Sequence, residues 1–119
     1  DAPCSGLGTL RRNPDLKSRQ TEAGLAELNA KQSAILEAAA SLATPGGRLV
    51  YGTCSLLEEE NEAVVDRFLA AHPDFALVPC GEVLARQGIA IPGCDRYLRL
   101  LPHLHDTDGF FAAVLQRAA

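Results

Sequence analysis

No hydrophobic run in the sequence approaches the ~20 residues needed to span a bilayer, which predicts no membrane partner. The start, DAPCSG, shows neither the basic nor the apolar region of a signal peptide. The four cysteines (Cys4, Cys54, Cys80, Cys94) are widely spaced and form no CxxC pair. This spacing argues against a disulfide framework, and we expect a protein of the reducing cytoplasm.

A surplus of basic residues is also missing. The net charge of −4 argues against a general nucleic-acid binder. The charge is uneven, however, because residues 11–19 hold four positive charges and one negative charge, whereas residues 57–66 hold five acids and no base. The basic strip, with Arg11, Arg12 and Lys17, either meets a phosphate backbone or is a solvated loop and helix face.

The hydrophobic pattern predicts helices that alternate with strands, in a chain of 119 residues that is long enough for one domain. Thr21 is the expected N-cap of a helix over 21–43, and Ser55 with Glu58 fits a capping box that opens a second helix ending near His72. The expected apolar stripe of the first helix comprises Leu25, Leu28, Gln32, Ile35, Leu36, Ala39 and Leu42. Strands are predicted at 48–53, 75–79 and 109–116, residues 80–95 read as irregular, and residues 97–102 alternate only weakly.

This order predicts the α/β class, with a mostly parallel sheet and flanking helices. The segments 75–79 and 109–116 have no helix between them, so the last strand is expected to run antiparallel. A doubly wound sheet normally begins with a strand, a glycine-rich turn and a helix, and none precedes DAPC. We therefore expect residues 1–119 to be the carboxyl-terminal part of a larger domain, whose exposed sheet edge favours self-association.

Cys54 follows a predicted strand and precedes a predicted helix. Ligands of open α/β sheets bind beyond the carboxyl ends of the strands, and a helix N-terminus favours a thiolate, so Cys54 suits a nucleophile. The alternative is a small buried residue in the turn. Cys4 follows Pro3 and precedes Gly6 and Gly8, which permit close approach of backbone to a ligand but do not form the GxGxxG fingerprint.

The segment PHLHDTDG, 102–109, places His103, His105, Asp106 and Asp108 close together. A metal site or the general base of a cysteine hydrolase is possible there, but no HExxH or CxxC motif supports a metal, and we expect none. Cys80 and Cys94 are expected to be structural.

Three blocks, DAPCSGLGTLRRNPDLK, PGGRLVYGTCSLLEEENEAVV and LRLLPHLHDTDGFF, together resemble the Sun-type RNA cytosine carbon-5 methyltransferases. The resemblance covers nearly the whole chain, and it is specific because the Pro-Cys and Thr-Cys cysteines occur together and in order. It implies a Rossmann-like class I methyltransferase fold. It also implies methyl transfer from S-adenosylmethionine to carbon-5 of cytosine in RNA, with ribosomal RNA as the expected partner.

The same resemblance implies roles for individual residues. Cys54 would be the nucleophile that adds to carbon-6 of the base, and Cys4 would assist elimination and product release. Asp1 matches an aspartate that contacts the cofactor, and Arg11, Arg12 and Lys17 match a stretch near the RNA path. His105 and Asp108 match the last block as structural or pocket-lining residues.

The glycine-rich cofactor loop and the amino-terminal RNA-binding region of the family are absent from this sequence. This absence implies that the chain alone does not methylate RNA. The alternative function is a non-catalytic interaction module that keeps the methyltransferase fold, although the presence of Asp1, Cys4 and Cys54 speaks against it.

Overall fold

A computed structural model of the chain describes residues 1–9, 21–105 and 107–119. The helices are α1 (Glu22–Ala40), α2 (Glu62–Ala71), α3 (Cys80–Arg86) and α4 (Pro102–His105), and the strands are β1 (Arg48–Thr53), β2 (Phe75–Val78), β3 (Leu98–Leu100) and β4 (Phe110–Arg117). Short 3-10 turns occur at Leu7–Thr9 and Glu58–Glu60. None of the described helices is both long and apolar enough to cross a membrane.

The last strand, β4, is the centre of the sheet. It pairs antiparallel with β1 along one edge, and with β3 and then β2 along the other edge. The predicted antiparallel last strand is therefore confirmed. Strands β1 and β2 run in the same direction but have β4 between them, so the described pairings include none of the expected parallel neighbours.

Alternate residues of β4 point into the hydrophobic core, as a period of two requires, although Ala112 and Val114 between them are also buried. Phe111, Ala113 and Leu115 are almost fully buried. The register places Thr53, Tyr51 and Leu49 of β1 opposite these three residues. Helices α1 and α2 cover this face with a further set of buried side chains, Leu36, Ala40, Val64, Val65 and Phe68.

Helix α1 begins as predicted, because Thr21 Oγ1 accepts a hydrogen bond from the Gly24 amide at 3.0 Å. Gln32 and Leu36 of the predicted stripe are buried. The prediction that Ile35 and Leu42 face the core was wrong, since these side chains are 45% and 84% exposed. The helix ends at Ala40, before Leu42, and Ile35 lies about 100° around the helix from Leu36.

The predicted start of the second helix was wrong. Ser55 and Glu58 form no capping box, and α2 begins at Glu62 after a separate 3-10 turn. The Ser55 hydroxyl instead donates to the Glu60 carboxylate and accepts from the Leu57 amide at 3.1 Å. A helix dipole acts only near the first turn of its helix, and α2 begins at Glu62 instead of directly after Cys54. The dipole of α2 therefore does not stabilise a Cys54 thiolate in the way that the sequence predicted.

The segment 80–95 is not wholly irregular, because its first half forms helix α3. Gly88, with a φ of 73°, lies just beyond this helix. The loop that follows is fastened to the start of α3 by two backbone hydrogen bonds, from the Cys80 amide to the Arg96 carbonyl at 3.1 Å and from the Gly81 amide to the Asp95 carbonyl at 2.8 Å. Helix signals were weak here because the segment contains several glycines and cysteines.

Candidate active site

Three segments meet at the edge of the sheet where β1 ends. Cys54 follows the last residue of β1, and Gly109 precedes the first residue of β4. The end of β1 and the start of β4 lie side by side because the two strands are antiparallel. The first residues of the chain join them, since the Ala2 amide donates to the Gly52 carbonyl at 2.9 Å.

Gly8 joins the backbones of these segments. Its amide donates to the Cys54 carbonyl at 2.8 Å, and its carbonyl accepts from the Gly109 amide at 2.6 Å. A Cβ atom at Gly8 would lie 2.5 Å from the Cys54 carbonyl oxygen and 2.8 Å from the Gly109 carbonyl carbon. The close approach expected at Gly8 is therefore an approach to the chain's own backbone, which leaves no space for a side chain.

The two cysteines that the sequence singles out are brought together. The Sγ atoms of Cys4 and Cys54 lie 3.2 Å apart, and either can donate to the other. Both residues are half-buried and both thiols are free. Two sulfur atoms, fifty residues apart in sequence, thus meet at the carboxyl end of a strand, where α/β sheets bind ligands.

Burial raises the pKa of the Cys4 thiol from its ordinary value of 9.0 to about 11, and the hydrogen bond with Cys54 adds to this effect. A raised pKa means that Cys4 keeps its proton at neutral pH. Cys4 is therefore suited to donate a proton or a hydrogen bond, and it is poorly suited to attack as a thiolate.

We expect the alkylation of Cys4 by iodoacetamide to show a midpoint near pH 11 in the folded protein, because only the thiolate reacts. In the urea-unfolded protein the midpoint is expected near the ordinary value of 9.0. Peptide mass spectrometry after a timed pulse measures both rates for Cys4 itself. A folded-state midpoint at or below 9 would contradict the protonated Cys4.

The carboxylate of Glu60 is fully buried and bonds to the residues that follow the two cysteines. It accepts from the Ser5 amide and the Ser5 hydroxyl, each at 2.7 Å, and from the Ser55 hydroxyl. Gln32 Nε2 donates to it at 3.3 Å. Ser5 directly follows Cys4, and Ser55 directly follows Cys54, so one carboxylate joins both cysteine segments.

The turn that presents Cys54 is closed by buried polar side chains on either side of it. The Thr53 hydroxyl donates to Asn61 Oδ1 at 2.5 Å and accepts from the Ser55 amide at 3.2 Å. Asn61 Nδ2 donates to the Ser55 carbonyl at 2.9 Å. These bonds fix the backbone immediately before and after Cys54, which sets the direction of its side chain.

The remaining predicted site residues lie apart from the sulfur pair or outside the described residues. Asp1 is exposed and lies beside Gly52, through the hydrogen bond of its neighbour Ala2. Arg11, Arg12 and Lys17 lie outside the described residues.

His105 has a structural position. Its Nδ1 accepts from the Leu101 amide at 3.0 Å, and its Nε2 lies 2.8 Å from the Pro92 carbonyl. Both ring nitrogens are thus bonded to backbone, which fits a neutral ring that fastens the loop before β3 to α4. Asp106 lies outside the described residues, and within the ranges that are described no three His, Cys, Asp or Glu side chains could hold a metal ion.

Sequence reasoning missed Glu60 and Asn61, and it assigned Ser55 to a helix cap. Glu60 stands in a run of three glutamates, of which Glu58 and Glu59 are exposed, and nothing in the run distinguishes the buried one. One signal was available: Gln32 is a polar residue on the apolar stripe of α1, and such a residue needs a buried partner.

Comparison with known proteins identifies relatives of the whole chain. The family described as 16S rRNA methyltransferase RsmB/F matches residues 1–116. A probable ribosomal RNA small subunit methyltransferase B of Synechocystis is 50% identical over 99% of this chain. Ribosomal RNA small subunit methyltransferase F of Erwinia tasmaniensis is 36% identical over 100% of it. The chain spans about a quarter of these relatives, namely 26% and 25% of their lengths.

Solved structures agree with the sequence relatives. NSun6 from Pyrococcus horikoshii, solved with the S-adenosylmethionine analogue SFG, superposes with a TM-score of 0.78 at 34% identity, covering 100% of this chain and 29% of that one. A methyltransferase homologue from Pyrococcus horikoshii gives a TM-score of 0.70 at 30% identity, covering 98% of this chain and 37% of that one. The expected Rossmann-like methyltransferase fold and the resemblance to the Sun-type family are confirmed, and the chain belongs to the 16S rRNA methyltransferase RsmB/F family.

Proposed function

We propose that this chain is the carboxyl-terminal part of a methyltransferase domain that transfers a methyl group from S-adenosylmethionine to carbon-5 of cytosine in ribosomal RNA. The observation that carries the proposal is the pair of free cysteine sulfurs, 3.2 Å apart at the carboxyl end of β1. Membership of an rRNA methyltransferase family supplies the substrate class. Because the relatives are about four times as long, we assign the activity to a full-length protein that contains this chain.

The chemistry explains why a nucleophilic sulfur is needed. Carbon-5 of cytosine is a poor nucleophile until a thiolate adds to carbon-6. In the proposed reaction the Cys54 sulfur bonds to carbon-6, and the electron pair of the carbon-5 to carbon-6 double bond moves to carbon-5. S-adenosylmethionine, when bound, would supply the methyl group to carbon-5 and leave as S-adenosylhomocysteine, whose sulfur keeps the electron pair of the broken bond. A base removes the carbon-5 proton, the carbon-6 to sulfur bond breaks, and the double bond is restored.

Cys4 is assigned to the last of these steps. Its pKa of about 11 keeps the thiol protonated at neutral pH, and its sulfur lies 3.2 Å from that of Cys54. A protonated Cys4 can donate to the Cys54 sulfur as negative charge develops there during elimination. The proposal thus assigns attack on carbon-6 of the base to Cys54 and release of the methylated product to Cys4.

A cofactor contact is assigned to a residue at the same edge of the sheet, and RNA contacts are assigned to basic residues that lie outside the described ranges. Asp1 is exposed beside Gly52, where its carboxylate fits the ammonium or hydroxyl groups of S-adenosylmethionine. The relative NSun6 binds an analogue of that cofactor, which supports the same cofactor here. Arg11, Arg12 and Lys17 are proposed to contact RNA phosphates. The upstream part of the full-length protein is proposed to supply the remaining contacts.

Covalent trapping tests the proposal. The full-length protein is incubated with S-adenosylmethionine and ribosomal RNA that contains 5-fluorocytosine, in which the fluorine cannot be removed as a proton. We expect a covalent protein–RNA complex on a denaturing gel for the native protein and for Cys4→Ala, and none for Cys54→Ala, because Cys54 forms the bond.

Two other outcomes contradict parts of the proposal. Loss of the complex only in Cys4→Ala reverses the two cysteine roles. Absence of a complex with every protein and RNA supports the alternative of a non-catalytic interaction module. The 119-residue chain alone serves as a control, and we expect no methyl transfer from it.

A further inference from the structure

Glu60 is the buried charged group that the proposed chemistry does not use. Its side chain is fully buried, yet no ion pair joins it to a basic residue in the part of the chain that the structure describes. Burying an unpaired carboxylate is costly unless hydrogen-bond donors replace the lost water. The reason for placing a carboxylate there must therefore lie in the donors that surround it.

The donors come from three separate segments. Ser5 donates through its amide and its hydroxyl, Ser55 donates through its hydroxyl, and Gln32 donates through Nε2. An ionised carboxylate has about four lone-pair sites, so these donors match its full capacity. All lone-pair sites of the carboxylate are therefore occupied, which leaves none for a further ligand.

Gln32 extends the network to the other side of Cys4. Its Nε2 donates both to the Glu60 carboxylate and to the Pro3 carbonyl at 2.9 Å. Both partners accept hydrogen bonds, so the amino group of the Gln32 side chain must face them, and this requirement fixes the orientation of the amide. Residues on both sides of Cys4, Pro3 and Ser5, are thus tied to the carboxylate that also holds Ser55, the residue after Cys54.

We infer that Glu60 is a positioning residue for the two-cysteine site, whose carboxylate holds the Cys4 segment against the Cys54 turn and so sets the distance between their sulfurs. The inference rests on the proposed function for its catalytic readout. Without the carboxylate, the hydroxyls of Ser5 and Ser55 lose their common acceptor, and the Cys4 segment is free to shift from Cys54. Misplacing a catalytic group by about 1 Å can cost about 10²-fold in rate.

The test compares Glu60→Ala, Glu60→Gln and the control Glu59→Ala in the full-length protein. Glu59 is the exposed neighbour in the same 3-10 turn, so its replacement removes the same charge without touching the cysteines. Active sites are counted by 5-fluorocytosine trapping, and kcat and KM for unmodified RNA are measured per active site. We expect Glu60→Ala to lower kcat about 10- to 100-fold with KM changed less than about threefold.

Two further measurements distinguish a positioning role of Glu60 from an effect on the stability of the fold. Glu60→Gln keeps one acceptor oxygen and the side-chain length, so we expect it to recover most of the lost kcat. We also expect the covalent complex with unmodified RNA to accumulate in Glu60→Ala, because release depends on Cys4. A kcat per active site for Glu60→Ala and Glu60→Gln equal to that of Glu59→Ala would overturn the inference.

Crystal structures of the native protein, Glu60→Gln and Glu60→Ala decide the geometric claim even if no RNA complex forms. We expect the sulfurs of Cys4 and Cys54 to stay within hydrogen-bond distance in the native protein and Glu60→Gln and to separate in Glu60→Ala. Unchanged sulfur positions in Glu60→Ala would refute positioning, whereas failed trapping with separated sulfurs would refute only the proposed function. If Glu60→Ala does not fold, the same comparison is made with Glu60→Asp, which withdraws the carboxylate by one methylene.

Discussion

Replacing Cys54 with alanine in the full-length protein is expected to lower methyl transfer to ribosomal RNA by at least about 10³-fold under single-turnover conditions. The physical reason is that no other described thiol can take its place. Cys4 is the nearest sulfur, and burial, the largest cause of its raised pKa, remains in the variant and disfavours its thiolate at neutral pH. Transfer of a radioactive methyl group to RNA, measured with enzyme in excess, gives the rate.

Cys4→Ala should behave differently in the same assay. It is expected to complete one methyl transfer but to stall before a second, so that single-turnover transfer survives while multiple-turnover transfer is lost. Cys94→Ala is the control, because Cys94 is a free, half-buried thiol whose sulfur donates to the Arg99 carbonyl at 3.3 Å and accepts from the Arg99 amide at 3.4 Å, away from the sulfur pair. Equal losses in Cys54→Ala and Cys94→Ala would show a general sensitivity to cysteine removal and would contradict the assigned roles.

The second large effect is expected from Gly8→Ala. The added methyl group would meet the Cys54 carbonyl oxygen at 2.5 Å and the Gly109 carbonyl group, and both are backbone atoms that cannot rotate away. We expect a loss of at least about 2 kcal/mol in the free energy of unfolding, typical of overpacking a tight site. Because the Gly8 amide donates to the Cys54 carbonyl, methyl transfer per folded molecule should fall as well.

Gly52→Ala is the matched control for this experiment. Gly52 is buried on β1, and a Cβ atom there would meet its nearest neighbour, the Phe110 ring, at 3.4 Å, which is an ordinary contact. We expect a change within about 1 kcal/mol, because alanine suits a strand slightly better than glycine. Urea unfolding followed by circular dichroism gives both values. Equal stability of the two variants would mean that Gly8 has more room than the structure gives it.

Three of the four described strands could be predicted from the sequence because their signals are local, whereas the weak alternation over 97–102 did not predict β3. RLVYGT and the apolar run before Gln116 were placed within one or two residues of β1 and β4. The antiparallel direction of β4 was predicted, but the order of the strands in the sheet was not. That β4 lies between β1 and β2 depends on contacts between residues far apart in the chain, and strand–helix alternation alone favoured parallel neighbours.

The site was predictable only in part, for a related reason. The proximity of Cys4 and Cys54 was expected from the resemblance, whereas the buried position of Glu60 depends on the Ser5 and Gln32 groups that surround it. Glu60 stands among the five acids of residues 57–66, and its neighbours Glu58 and Glu59 are exposed. One buried carboxylate in such a run has no local signature, because its partners come from distant segments.

The central place of β4 has a consequence for synthesis on the ribosome. The other described strands, β1, β2 and β3, are all bonded to β4 and not to one another. The Gly109 amide, just before β4, also completes the backbone junction at Gly8. Translation therefore produces both cysteines long before it produces the strand that organises the sheet beneath them. Until Arg117 has left the exit tunnel, β1, β2 and β3 cannot complete the pairings with β4 that the folded chain shows, and incompletely folded states of this kind expose apolar surface that favours aggregation.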